Sequence, residues 1–137
     1  LFDTDAISDL LRPRPTPALV EWLARLPRED QFTSAVVIGE LYEGAYRSAV
    51  RERHLTNLQD RVLPAVTVLP FDLECARWFG EIAAELARRG EPLADAALQI
   101  AATALRHGLT VVTGNLNHFA RVPGLALSRV LADGRIG

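Results

Sequence analysis

Residues 95–115 read DAALQIAATALRHGLTVVTGN, and this stretch decides the fold. From Ala96 to Arg106 the residues are apolar on nearly every face, which predicts a helix buried inside the protein. Gly108 ends that helix, and Leu109–Thr113 predicts a short β-branched strand that ends in polar residues. This order is typical of proteins in which helices cover both faces of a parallel sheet.

The rest of the chain alternates short apolar segments with helical ones in the same way. Further strands are predicted at Leu1–Phe2, Gln31–Ser34, Val66–Leu69 and Leu125–Leu127. Further helices are predicted at Asp5–Leu11, Ala18–Leu26, Ala35–Ser48, His54–Leu63 and Leu73–Arg89. No repeat, linker or low-complexity segment divides them, so we expect one α/β domain over residues 1–137.

Composition is that of an ordinary globular protein. Of the 137 residues, 49% are hydrophobic and 23% are charged, and no apolar run reaches the roughly 18 residues of a membrane span. We find no signal peptide and a single cysteine, Cys75, so we expect a cytoplasmic protein without an internal disulfide. All 15 basic residues are arginine, which excludes chemistry that needs lysine. The net charge of −2 argues against a dedicated duplex-DNA binder, but it allows an enzyme with local arginine clusters.

Acidic and amide side chains follow the predicted strands. In parallel α/β folds the functional site lies at the carboxyl ends of the strands. A rim of oxygen ligands without clustered Cys or His suits a hard cation such as Mg²⁺. The residues concerned are Asp3, Thr4 and Asp5 after the first strand, Ser34 and Glu40 after the second, and Thr113, Asn115 and His118 at the strand that decides the fold.

These residues also have structural interpretations. Asp3 is placed to cap the helix that begins near Asp5. Glu40 is compatible with a solvated helix position, although its turn is largely apolar. Asn115 is typical of a turn, and His118 stands beside Phe119, where histidine is more often structural than catalytic.

Five segments in register resemble the PIN-domain ribonucleases, specifically the toxins of VapBC-type toxin–antitoxin pairs. They are LFDTD at 1–5, SAVVIGELYEGA at 34–45, GEPLAD at 90–95, IAATAL at 100–105, and VTGN followed by HF at 112–119. The resemblance spans nearly the whole chain. It implies a three-layer α/β/α sandwich with a central, mainly parallel sheet, and a Mg²⁺- or Mn²⁺-dependent endoribonuclease. It also implies a homodimer, an RNA substrate and a partner antitoxin whose tail crosses the active site.

The resemblance also assigns site residues. Asp3 matches the first family acid, Glu40 the second, and Asn115 the position where members carry a fourth acid or Asn. The third acid belongs three residues before the Ile-Ala-Ala segment, where this chain has Ala97. Asp3 and the acid at position 97 would hold the metal, and a surrounding set is expected from Thr4, Asp5, Ser34, Thr113 and His118.

Ala97 predicts a catalytically inactive chain. Either an aspartate was replaced deliberately to silence a toxin, or it was lost naturally; we favour the first because the other motifs are well formed. Asp95 is the nearest acid, but two residues along a helix correspond to a turn of about 200°. We therefore predict that Asp95 caps the helix, unless the backbone there is still a loop, in which case Asp95 reaches the metal.

Two other functions remain open from the residues. The first is a non-catalytic PIN-fold module that binds RNA or the antitoxin. The second is a haloacid-dehalogenase-like phosphatase, because the segment Asp3-Thr4-Asp5 after a strand resembles the pair of acids in that family. The absence of lysine and the short chain argue against it.

Two surfaces are expected to meet partners. Neighbouring phosphates of an RNA are predicted to contact Arg12, Arg14, Arg47 or Arg51. Tyr42, Tyr46 and Leu55 are predicted to form a homodimer face or a groove for an antitoxin helix.

Overall fold

A computed structural model describes residues 1–136. Within this range the strands are β1 (Phe32–Ser34), β2 (Thr67–Leu69), β3 (Val111–Val112) and β4 (Leu127–Ser128). β1 pairs in parallel with β2, and β3 pairs in parallel with β4. Residues 1–3 join the two pairs, since Phe2 N donates to Phe32 O and Asp3 N donates to Val112 O. The result is one parallel layer with the amino-terminal segment at its centre.

The helices surround this layer. They are α1 (Thr4–Leu10), α2 (Pro17–Ala24), α3 (Ala35–Arg47), α4 (Arg51–Asn57), α5 (Leu73–Arg88), α6 (Asp95–His107), α7 (Leu116–Phe119) and α8 (Val130–Ile136). A 3₁₀ turn at Arg28–Asp30 precedes β1, and a π-helical turn at Leu58–Val62 continues α4. None of the helices in residues 1–136 has the length and hydropathy that crossing a membrane requires.

Helix α6 is buried at the centre of the fold, as its sequence predicts. Its buried residues include Leu98 and the unbroken run from Ile100 to Ala104, and α5 packs along it. The helix ends at Gly108, whose φ of 65° lies in the left-handed region that glycine tolerates. This burial fixes α6, and therefore position 97, against α5 and α3.

The predicted α/β sandwich with parallel strands is confirmed, with corrections to its parts. The strand predicted at Leu109–Thr113 is only Val111–Val112, because β4 pairs with two residues alone. The helix predicted at His54–Leu63 begins at Arg51 and changes to the π-helical turn. Helices α7 and α8 were not predicted; α8 contains Asp133 and Gly134, which have low helix propensity.

Candidate active site

The acidic side chains meet in a pocket at the carboxyl end of the parallel layer. The pocket has a volume of about 480 Å³. Its polar lining comes from the first turn of α1, from α3, from the turn after β3 and from α8. The lining residues that matter for its chemistry are Asp3, Thr4, Asp5, Glu40, Ala97, Asn115, His118 and Arg135.

Asp3 both caps α1 and lines the pocket. Its Oδ1 accepts a hydrogen bond from Ala6 N at 2.8 Å, and the residue is only 5% exposed. The pKa of Asp3 is raised from 3.8 to about 6, chiefly by burial; hydrogen bonds from Thr113 and Ala6 act against this rise, and the nearby carboxylates of Asp5 and Glu40 add to it. The pocket therefore holds carboxylates close enough to repel one another.

Glu40 reaches the pocket from α3. Ser34 caps that helix by accepting a hydrogen bond from Val37 N at 3.1 Å, which directs the first two turns along the pocket edge. Thr4 Oγ1 donates to Glu40 Oε1 at 2.6 Å. Glu40 is exposed to solvent on α3 and also lines the pocket, so both interpretations of this residue apply. Ser34 itself is buried behind the pocket.

Position 97 faces the same pocket, and Asp95 does not. Ala97 is half-buried and lines the pocket with Asp3 and Glu40. Asp95 is exposed and lies outside the lining. The prediction that Asp95 caps the helix is wrong: Ala94 occupies the cap position without a side-chain hydrogen bond, and Asp95 is the first helical residue. The helix therefore begins one residue earlier than predicted and turns Asp95 toward solvent.

The turn after β3 contributes amide and imidazole groups. Buried Thr113 contacts Asp3 and accepts a hydrogen bond from Asn115 N at 2.9 Å. The side-chain nitrogen of Asn115 lies 3.1 Å from His118 Nδ1. Both Asn115 and His118 are exposed at the pocket rim, so their polar atoms face the space above Asp3.

The donor set present does not fit a complete Mg²⁺ or Mn²⁺ site. Residues 1–136 contain no group of three or more His, Cys, Asp or Glu side chains placed to hold a metal ion. Asp5 is the third acid of the lining, but its two carboxylate oxygens accept from Arg135 at 2.9 Å each. Asp3 and Glu40 remain, and the methyl group of Ala97 stands beside them.

Comparison with known proteins shows the family to which the fold belongs. Residues 1–125 match the PIN domain family. The chain belongs to that family. The Toxin FitB of Neisseria gonorrhoeae is 36% identical over 128 residues, covering 87% of this chain and 89% of the relative. Ribonuclease VapC2 of Haemophilus influenzae is 32% identical over 127 residues, covering 91% and 92%. The crystal structure of FitAcB from Neisseria gonorrhoeae superposes with a TM-score of 0.86 at 32% identity, covering 94% of this chain and 96% of that one.

Arg135 is a residue at the pocket of this PIN domain that sequence analysis missed. It projects from α8 and donates to both oxygens of Asp5 and to Asp9 Oδ2 at 3.1 Å. Burial alone would raise the pKa of Asp9, but hydrogen bonds from Thr16 and Arg135 bring it below its usual value. Gly114 N also donates to Asp5 at 3.1 Å. An isolated arginine in a weak helix 130 residues after its partner carries no local sequence signal.

We expect the Arg135→Ala variant to be less stable by about 2 kcal/mol, because it leaves the fully buried Asp9 carboxylate without its strongest cation. Arg12→Ala is the matched control. Arg12 also contacts Asp9, at 3.5 Å, but its side chain is 53% exposed, so its loss should cost under about 0.5 kcal/mol. Urea denaturation at neutral pH measures both; equal losses for the two variants would contradict the assigned role of Arg135.

Proposed function

We propose that this PIN domain is the toxin of a toxin–antitoxin pair and, by descent, a metal-dependent endoribonuclease whose activity is lost at Ala97. The observation that carries the proposal is the single pocket lined by Asp3, Glu40 and position 97 at the carboxyl ends of the strands. Relatives named as a toxin and as a ribonuclease match nearly its whole length. We propose that it acts in the cytoplasm, where an RNA substrate would be found.

With a carboxylate at position 97, three acids would face one another across the pocket, which suits Mg²⁺ or Mn²⁺. When bound, such an ion supplies a reactive water and stabilises charge on a phosphate. The chain's own groups prepare the site: the Thr4 hydroxyl orients Glu40, and Arg135 binds both carboxylate oxygens of Asp5. Asn115 and His118 are placed to contact the RNA at the rim.

Ala97 itself favours a second candidate, a non-catalytic PIN module that binds RNA or an antitoxin. Such a module needs the pocket and its surroundings but no complete acid set. The haloacid-dehalogenase-like alternative loses its support, because the chain belongs to the PIN domain family and Asp5, its second acid, is tied to Arg135.

An aromatic surface on α3 is the site that we propose for protein partners, an antitoxin helix or a second copy of the chain. The rings of Tyr42 and Tyr46 stack with centroids 6.2 Å apart, and Arg51 lies over Tyr46 at 5.6 Å. Tyr46 is 53% exposed, while Tyr42 and Leu55 are half-buried beside it. Exposed aromatic side chains of this kind anchor partner helices.

Growth of a bacterial host tests the proposal. We expect induction of the Ala97→Asp variant to arrest growth, and co-expression of the antitoxin, sought as the neighbouring reading frame, to restore it. Induction of the present chain should leave growth unchanged, because its acid set is incomplete. Growth arrest by neither protein, with both found folded in the cell, would count against a toxin.

A further inference from the structure

A second depression adjoins the acidic pocket. It is a groove of about 870 Å³ formed by α1, α3, α4 and the π-helical turn. Thr4 and Glu40 line both the groove and the pocket. A ligand chain that lies in the groove therefore enters the acidic pocket without leaving the surface.

The groove is basic, although the pocket beside it is acidic. Arg12, Arg53 and Arg61 line it together with His54, and Glu40 is the only acid in its lining. All three arginines are exposed. Across residues 1–136, seven arginines pair with carboxylates, but Arg53 and Arg61 form no ion pair. Their charges are available to an anionic ligand.

The cations are spaced along one direction. Arg53, Asn57 and Arg61 recur every four residues along α4 and the π-helical turn, so they share a face. At no more than the α-helical rise of about 1.5 Å per residue, the two arginines stand within about 12 Å of each other along the helix. A row of this length suits a chain of several phosphates better than one small anion.

Helix α3 provides a low floor for the groove. Gly44 lines it, and a Cβ built at Gly44 would meet nothing within 4 Å. Leu11 and Leu41, both half-buried, give the groove apolar patches on which bases can rest, since unpaired bases pack against apolar and aromatic side chains. Of the four arginines predicted to contact phosphates, Arg12 lines the groove but also pairs with Asp9. The other three lie outside the lining: Arg14, Arg47, which pairs with Glu43, and Arg51, which lies over the ring of Tyr46.

We propose that this groove binds the backbone of single-stranded RNA flanking the phosphate that occupies the acidic pocket, with Arg53 and Arg61 as its phosphate-binding residues. The inference rests on the proposed function and gives it a path for the substrate. Contacts to phosphates position a nucleic acid without reading its bases, so the groove contributes affinity and direction rather than sequence preference. An acidic protein segment is the competing occupant.

The first test measures binding of a fluorescent, unstructured RNA of about 12 nucleotides in EDTA, over a range of salt concentrations. We expect the Arg53→Ala, Arg61→Ala double variant to bind roughly tenfold more weakly, with a salt slope smaller by about 1.4, since each lost phosphate contact removes about 0.7. The matched control is Arg77→Ala, Arg88→Ala on α5, which removes the same charge outside the groove lining; it should behave like the unmodified chain.

A second pair of variants tests the groove by its shape. Gly44→Glu puts a carboxylate above the floor, while Gly80→Glu makes the same change on α5, where a Cβ also meets nothing within 4 Å. Both replace an exposed helical glycine, so thermal melting should show two folded proteins. We expect RNA binding to weaken at least tenfold for Gly44→Glu alone.

Unchanged RNA affinity in both groove variants would overturn the proposal. Loss of antitoxin binding with RNA binding intact would also overturn it and assign the groove to a protein. Adding the Arg53→Ala, Arg61→Ala changes to Ala97→Asp separates this proposal from the proposed function: a KM raised about tenfold with kcat unchanged supports the groove. Cleavage with an unaltered KM would reject RNA binding by the groove and leave the proposed function standing. Failure of Ala97→Asp to cleave would reject the proposed function. In that case the RNA-binding measurement in EDTA would still decide whether the groove binds RNA.

Discussion

The Ala97→Asp variant is expected to cleave RNA in Mg²⁺ or Mn²⁺ at least on the order of 100-fold faster than the present chain. Position 97 lines the pocket with Asp3 and Glu40, so the new carboxylate completes a set of three acids. It also stands third in α6, after Asp95 and Ala96, where the positive end of the helix dipole favours an acid. The substitution should therefore fit the fold.

The assay compares both proteins on a mixed RNA pool, with each metal ion and with EDTA. Gln99→Glu is the matched control, since it adds the same charge to α6 at a position outside the pocket lining. Asp95→Asn in the Ala97→Asp background should leave cleavage unchanged, because Asp95 lies outside the pocket. Equal, EDTA-sensitive cleavage by the unmodified chain would show that Ala97 does not inactivate this site.

Metal binding gives a readout that does not depend on cleavage. In EDTA, Ala97→Asp should be less stable than the present chain, because it adds a further carboxylate to a pocket where burial, and after it the charges of Asp5 and Glu40, already raise the pKa of Asp3. Millimolar Mg²⁺ should reverse this loss and raise Tm for the variant alone. Tight Mg²⁺ binding by the unmodified chain in calorimetry would contradict the incomplete acid set.

The pattern of apolar residues was sufficient to predict the layers of the fold. Helix α6 is apolar on nearly all faces, which only a buried helix tolerates. The long helix α5 ends just before Gly90, as predicted, and Gly90 has a left-handed φ of 69°. The ends of elements were less predictable, because they depend on pairing and packing with distant segments. Two-residue strands such as β3 and β4 form only because they pair with each other.

Sequence also brought the acids to one edge but could not show their partners. Asp3, Thr4 and Glu40 follow strands, so a parallel sheet places them together. Arg135 and the row of Arg53 and Arg61 escaped notice for a physical reason: their significance lies in what they face across the fold. One arginine in a surface helix has the same local pattern whether it is solvated, paired with a buried acid or placed in a groove.

Replacing Asp3 by asparagine is expected to stabilise the protein at neutral pH. The folded chain keeps the Asp3 proton up to about pH 6, whereas a carboxyl with its ordinary pKa of 3.8 releases it earlier. Between these values the folded state binds more protons, so the free energy of unfolding falls as pH rises from about 4 to about 6. The loss amounts to as much as about 3 kcal/mol, at about 1.4 kcal/mol per pKa unit.

Asparagine removes the charge but keeps the cap. It is as good an N-cap as aspartate, so the hydrogen bond from Ala6 N to the side chain at position 3 should persist. Urea denaturation at pH 4.5 and pH 7.5 should therefore show a gain for Asp3→Asn of about 2 kcal/mol at the higher pH and little gain at the lower one.

Asp72→Asn is the control for this experiment, because Asp72 caps α5 in the same way, accepting from Cys75 N at 3.0 Å. Hydrogen bonds from Cys75 lower the pKa of Asp72. The ionised carboxylate of Asp72 therefore stabilises the fold at any pH above the ordinary carboxyl pKa. That stabilisation is lost as the pH falls through the lowered pKa. Asp72→Asn should bring no gain at pH 7.5. A stabilised Asp3→Asn that also abolishes cleavage in the Ala97→Asp background would show that the buried charge serves the site at the expense of stability; a destabilised Asp3→Asn would contradict the raised pKa of Asp3.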